Sequence, residues 1–286
     1  MSFITTRRTA LKAVLAVAVA GASLALAACS TGTTPSASPS STELQTLTAG
    51  KLTIGTGNPA YEPWVVGDKP ESGEGYEAAV AYAVADKLGY AESDVVWVRT
   101  TFDEAIAPGA KNFDFNLQQY SITDERKANV DFSSPYYSTT QTVITIKGSK
   151  ADGVTTVDGL KGLLIGAASG TTSFTAIEDV IKPTSGAQAF NSNDDAKAAL
   201  QAGQIDALVV DLPTALYLTA VELDGGKIVG QLDGSAAGDQ FGLVLDKGSP
   251  LTEAVSAAVD ALQADGTLAA LQKQWLADYA GAPVLK

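Results

Sequence analysis

Histidine is absent from the 286 residues, and cysteine and methionine occur once each. Without an imidazole, Ser-His-Asp and Cys-His catalysis are excluded, as are the usual zinc ligand sets, so no metal or other cofactor is expected. A lone cysteine cannot form a disulfide within the chain, so the folded part relies on its apolar core. Positive charge is scarce as well: 19 Lys and Arg stand against 32 Asp and Glu, a formal net charge of -13. So acidic a chain is a poor match for a phosphate backbone, and nucleic acid is not expected as a partner. Carboxylate and lysine chemistry are left open.

Long apolar runs are missing except near the start. Arg7, Arg8 and Lys12 precede an apolar run from Ala13 to Leu26, too short to span a membrane comfortably and flanked as an export signal is. Residues 1–28 therefore read as a signal peptide. The run closes on Leu26-Ala27-Ala28-Cys29, which resembles a lipobox, with Cys29 as the lipidated residue that anchors the chain at the cell surface. The alternative is a chance cysteine after an ordinary cleavable signal. "TRRTALK", Thr6 to Lys12, resembles a twin-arginine export motif, and Sec export fits equally. Residues 29–49 are rich in Ser, Thr and Pro. They read as a flexible tether with a reach on the order of 20–30 Å by coil statistics.

The remaining residues, about 235, are enough for one large domain or two lobes. Short apolar strands alternate with helix-period segments, which predicts an α/β fold. Leu52–Thr56, Val95–Val98, Phe113–Asn116 and "TVITIKG" read as strands. Between the first two, Tyr76, Val80, Val84 and Leu88 share one helical stripe that Gly89 is placed to end. A second set follows, with "LLIGAAS", "AQAF", "IDALVVD" and "KIVGQL" as strands, then "QFGLVLDKGSP" as a further strand. Two helical segments, Leu251–Ala264 and Leu268–Tyr279, close the chain.

Five segments in this order carry a resemblance: "GYEAAVAYAVADKLG", "FDFNLQQYSITDERKANVDFSSPYY", "LKGLLIGAASGTTS", "GQIDALVVDLPTALYL" and "ADGTLAALQKQWL". Together they resemble the extracellular solute-binding proteins of the polar amino-acid ABC importers, bacterial family 3, over Lys51 to about Tyr279. The resemblance implies the type II periplasmic-binding-protein fold, two α/β lobes, each a sheet flanked by helices, joined by two hinge crossings. Lobe one is expected at 50–143 plus 245–286 and lobe two at 147–240, with crossings near Thr142–Ile146 and Gly242–Leu245. It also implies a receptor that takes a free amino acid from outside the cell and hands it to an ABC permease, and not an enzyme; a tethered monomer is the default oligomeric state.

The residues themselves leave alternatives. Arg126 either pairs with Asp124 or Glu125 on a short surface helix or offers its planar fork to a carboxylate. "SGTT", Ser169 to Thr172, is either an ordinary strand-to-helix turn or an anion site built from helix-start N–H groups. Asp211 ends a strand where an N-cap residue is favoured. The resemblance implies that Arg126 and Ser121 hold the ligand carboxylate, with further donors at Gly170, Thr171 and Thr172. It implies that Asp211 accepts from the ligand ammonium, and that Tyr61 and Phe102 flank the ligand side chain. Trp64, Tyr136 and Tyr137 are expected to pack rather than touch ligand. Two of three departures bear on specificity. Asn58 stands where some relatives carry an aspartate for a basic side chain. Gln118, Gln119 and Tyr120 replace the usual small residues; the third departure, Ala79 in place of a second acid, has no evident effect on the site. The amides, Gln119 among the site residues, favour a polar uncharged side chain. Competing readings are a surface sensor, a dicarboxylate or opine-like ligand, and a dehydratase-like enzyme on the same fold.

Overall fold

The apolar runs become strands, and the segments of helical period become the layers that cover them. The structure is a computed structural model that describes residues 44–232, 239–276 and 282–286. The signal segment, Cys29 and the tether up to residue 43 lie outside the described residues. In chain order the strands are β1 (Leu52–Gly57), β2 (Val95–Thr100), β3 (Phe115–Asn116), β4 (Val130–Thr139), β5 (Gln141–Ile146), β6 (Ile165–Ala168), β7 (Gln188–Phe190), β8 (Ala207–Asp211), β9 (Gly226–Gln231) and β10 (Asp239–Asp246). The helices are α1 (Tyr76–Lys87), α2 (Phe102–Ile106), α3 (Asp124–Lys127), α4 (Thr172–Ala176), α5 (Asn193–Gln201), α6 (Leu212–Tyr217), α7 (Thr252–Ala264) and α8 (Thr267–Leu276).

Two mixed sheets result, in the orders β2-β1-β3-β10-β4 and β7-β6-β8-β5-β9. The orders are equivalent. In each sheet the first strand lies parallel to the second and the third, and a strand arriving from the other half enters antiparallel. Those incoming strands are β10 in the first sheet and β5 in the second. Thr142–Ile146 pair wholly within the second sheet, and Gly242–Leu245 wholly within the first. The chain therefore changes sheets at Thr140 and between Leu232 and Asp239. A strand satisfies its backbone N–H and C=O groups only by joining one ladder throughout, so the crossings fall on residues between strands. The expected limits assign Gln141–Val143 to lobe one, whereas the ladder pairs them with β8 of the second sheet.

The last residues also depart from expectation. The expected limits end the chain in lobe one, but residues 282–286 return to the second sheet. Gln231 donates to the Pro283 carbonyl at 2.7 Å, Leu285 donates back to Gln231 at 2.9 Å, and Leu285 is buried in the second core. The segment carries apolar residues but no alternation long enough to announce a strand.

The cores differ in chemistry. Around the first sheet, α1, α7 and α8 cover a cluster with Trp64, Tyr76, Tyr136 and Phe241 at its centre. Trp64 packs edge-on to Tyr76, Tyr137 and Phe241. Trp64, Tyr136 and Tyr137 are thus packing residues, as expected. Tyr76, Val80 and Val84 form the buried stripe of α1, and Gly89 ends it with φ 86. The second sheet is covered on both faces by aliphatic clusters around Val143, Ile165 and Val209, and around Ile144, Leu208 and Val210.

Candidate functional site

Strand ends and helix starts of both sheets converge on one cavity of about 170 Å³. That is room for about ten waters at the volume one occupies by this measure, hence for a small polar molecule. Arg126, Tyr61, Phe102, Gln119, Thr171, Thr172 and Asp211 all line it. Ser121 and Gly170 stand just behind, where their carbonyls hold Arg126.

Arg126 lies on α3, a single helical turn capped by Thr123, whose hydroxyl accepts the Arg126 backbone N–H at 3.2 Å. The cap turns Arg126 inward, and only 7% of it is exposed. The surface ion pair on this turn belongs to Lys127 and Asp124 instead. The Arg126 guanidinium donates to the Ser121 carbonyl at 2.8 Å and to the Gly170 carbonyl at 2.9 Å. It sits 5.3 Å from the Phe102 ring centroid, in cation–π range. Among the described residues it has no ion-pair partner. Burial pulls its pKa down, partly offset by Tyr120 and the more distant Asp211 and Asp239. The rest of its fork has no protein acceptor, which in a buried cation is costly unless a ligand supplies one.

The second half of the cavity is made of helix starts. Gly170 adopts φ 71, and a side chain there would meet Asp103 at 2.8 Å, so the turn from β6 into α4 requires glycine. Thr171 caps α4 by accepting from the Phe174 N–H at 3.2 Å. Thr172 faces Ser121 across the cleft, oxygen to oxygen 3.1 Å. Ser192 caps α5 in the same way. Burial, followed by the charge of Asp194, pushes the Tyr61 pKa up to about 12.

Asp211 occupies the N-cap position of α6 but makes no side-chain capping bond. Its carboxylate instead accepts from Gln141 Nε2 at 2.9 Å and faces the cavity. Burial, then the neighbouring Asp239, pushes its pKa up to about 8. Local sequence favoured a cap, but the side chain has turned away from the helix.

Comparison with known proteins then gives the chain its family. Residues 52–278 match the model of the bacterial extracellular solute-binding proteins, family 3. The chain belongs to that family.

Among its relatives is the L-cystine-binding protein TcyJ of Escherichia coli strain K12, 30% identical over 214 residues, 74% of this chain and 76% of the relative. The L-arginine-binding protein of Pseudomonas aeruginosa is 30% identical over 230 residues, 76% and 84% of the two chains. An ancestral arginine-binding protein solved with glutamine superposes with a TM-score of 0.67 at 30% identity, covering 80% of this chain and 98% of that one. The fold is thus that of the type II periplasmic amino-acid-binding proteins, and the family is one of solute-binding proteins rather than enzymes. Among the described residues, no cluster of metal-ligating side chains occurs and no helix is long and apolar enough to cross a membrane.

Several residues of the binding protein's cavity escaped the sequence reading. Glu77 lines it with 2% exposure, accepting from the Gln119 backbone at 2.8 Å and from the Gln119 amide and the Tyr136 hydroxyl. Burial pushes its pKa up to about 7 against the lowering effect of those bonds. These contacts hold Gln119 at φ 52, a left-handed conformation that a non-glycine residue keeps only when its surroundings enforce it. The "GYE" motif carried this signal, but its acid was read as part of a helix pattern. Asn58, singled out in the sequence as a specificity position, lines the cavity; Asn191, Asn193 and Asp103 line it too, and single polar residues in loops gave no sign of those three. Two interlobe contacts were likewise unannounced: Trp64 Nε1 donates to Thr214 Oγ1 at 3.0 Å, and Gln141 joins Asp211 to Asp239.

Proposed function

We propose that this protein binds a free α-amino acid between its lobes and delivers it to an ABC import permease. It would do so as a monomer held at the outer face of the membrane by a lipid on Cys29. The observation that carries the reading is the presence in one cavity of a buried Arg126 and of Asp211, neither of which forms an ion pair among the described residues. An α-amino acid presents the two complements on one carbon. Its carboxylate completes the Arg126 fork, aided by the Ser121 and Thr172 hydroxyls and the backbone N–H groups of Gly170, Thr171 and Thr172. Its ammonium gives Asp211 a charge partner, so both protein charges become satisfied when the lobes are closed.

Five amide residues, Asn58, Gln118, Gln119, Asn191 and Asn193, line the cavity together with Tyr61 and Phe102. Amides both donate and accept, which favours a polar uncharged side chain. The relatives named for cystine and the ancestral protein solved with glutamine support that class. Asp103 also lines the cavity and would favour a basic side chain, so basic amino acids form the competing arm of the test.

The test is thermal unfolding of the chain from residue 29 onward carrying Cys29→Ser, freed of carried-over ligand by unfolding and refolding, against each common amino acid. A ligand at about 100 times its dissociation constant adds roughly 2.7 kcal/mol. Stabilisation by glutamine-like residues is expected; stabilisation only by arginine and lysine moves specificity to Asp103. No shift with any amino acid sinks the reading. Cys29→Ala, expressed with the native signal, is expected to leave the membrane fraction.

A further inference from the structure

Both chain crossings open onto the same small group of side chains. Gln141 is the first residue of β5, directly after the crossing at Thr140, and Asp239 is the first residue of β10, directly after the other. The Gln141 amide nitrogen donates to Asp211 Oδ1 at 2.9 Å and to Asp239 Oδ2 at 2.6 Å, and lies 3.2 Å from Thr172 Oγ1. Its carbonyl accepts from the Ser173 hydroxyl at 2.6 Å. Ser121 closes the ring from the first lobe, reaching Thr172 at 3.1 Å and Asp239 at 3.4 Å. Gln141 is 8% exposed, so its amide has little water to turn to. A primary amide suits this place: it satisfies two carboxylates at once and neutralises neither.

We propose that Gln141 is a positioning residue for ligand binding: its amide aims Asp211 at the ligand ammonium and ties that site to both chain crossings, so that occupancy favours the closed lobes. The inference rests on Asp211 being the ammonium acceptor. The charged and titratable groups facing Asp211 come from every side of the cluster: Asp239 on β10, Arg126 on α3, Glu77 on α1, and the Tyr136 and Tyr137 phenols on β4. Asp239 and Glu77 oppose ionisation of Asp211, whereas Arg126 and the Gln141 bond favour it. Gln141 therefore also helps to keep Asp211 anionic when the ligand arrives.

The experiment is calorimetric titration of the stripped chain with L-glutamine and, in parallel, L-arginine at about pH 7 and about pH 9, in wild type and variants. Gln141→Leu is expected to weaken binding about tenfold at the lower pH and less than about threefold at the higher, because Asp211 ionises there without help. Asp239→Asn removes a repelling charge and shifts the pH profile the opposite way, and it stands as a separate check if Gln141→Leu does not fold. Gln141→Asn, which keeps the amide, is expected to recover part of the profile. A Gln141→Leu loss equal at both pH values indicates mere packing and overturns the proposal, as does an unchanged affinity or an Asp239→Asn profile that stays put. Asp211→Asn separates the two readings: full binding in that variant overturns the ammonium site itself, and the inference about Gln141 with it.

Discussion

The two halves of the cavity hold charge in different ways. The first half is built on strand ends over an aromatic core, and it fixes a cation. Arg126 is locked by two backbone carbonyls and a ring, and among the described residues no acid forms an ion pair with it. The second half is built on helix starts over aliphatic cores, and it offers an acid whose charge is conditional. Asp211 sits beside Asp239 with an amide between them, and its pKa is pushed up to about 8. A guanidinium stays charged through burial that would neutralise other cations, whereas a carboxylate yields to it. The closed cleft therefore contains one permanent charge and one that the ligand must help to form, which places part of the selectivity for ammonium-bearing ligands on the second half.

The most severe break of this contrast is at the permanent charge. Arg126→Ala is expected to weaken amino-acid binding by about 3–5 kcal/mol, since it leaves a ligand carboxylate desolvated without a partner. Titration calorimetry reads this directly, and wild-type affinity in the variant would end the carboxylate assignment. Next in size is the return of the chain to the second sheet. Leu285→Ala removes a buried side chain from the second core and is expected to cost about 2–4 kcal/mol in denaturant unfolding. A cost near zero would mean that residues 282–286 are not part of the second lobe.

The conditional charge has a signature in pH. Asp211 is pushed from an ordinary value of 3.8 to about 8, and Glu77 from 4.5 to about 7. Between those limits the folded chain holds protons that the unfolded chain has released, so stability falls as pH rises. The stabilisation is complete below about pH 4 and is lost by about pH 8. Melting of the empty protein is expected to follow that decline, with a smaller decline in Asp211→Asn. Each kcal/mol recovered is worth about 2–4 °C in a domain of this size. An identical slope in wild type and Asp211→Asn would show that the acid is ordinary. The smallest effect is at the contact between halves: Thr214→Val removes the acceptor of Trp64 Nε1 and is expected to cost about 1 kcal/mol. That loss should appear in ligand-free unfolding as well as in affinity.

Local pattern was enough for most of the elements. The stripe Tyr76, Val80, Val84 and the stop at Gly89 specified α1, and the apolar runs at 52–56 and 95–98 became β1 and β2 with only their ends extended. The short helix holding Arg126 was readable too, but its inward turn came from the Thr123 cap seen in the structure. What the chain sequence determined alone was the sequence of strands and helices, the absence of imidazole, and the motif that carries the cation. Tertiary structure alone decided that Asp211 would forgo its cap for Gln141, and that Gln141 would meet an aspartate 98 residues away. The same holds for Glu77, whose role in holding Gln119 spans 42 residues, and for the return of residues 282–286 to β9. Helix periodicity and capping are encoded within a few residues. The charge state of a buried carboxylate depends on which groups the folded chain gathers around it, and no local stretch contains that information.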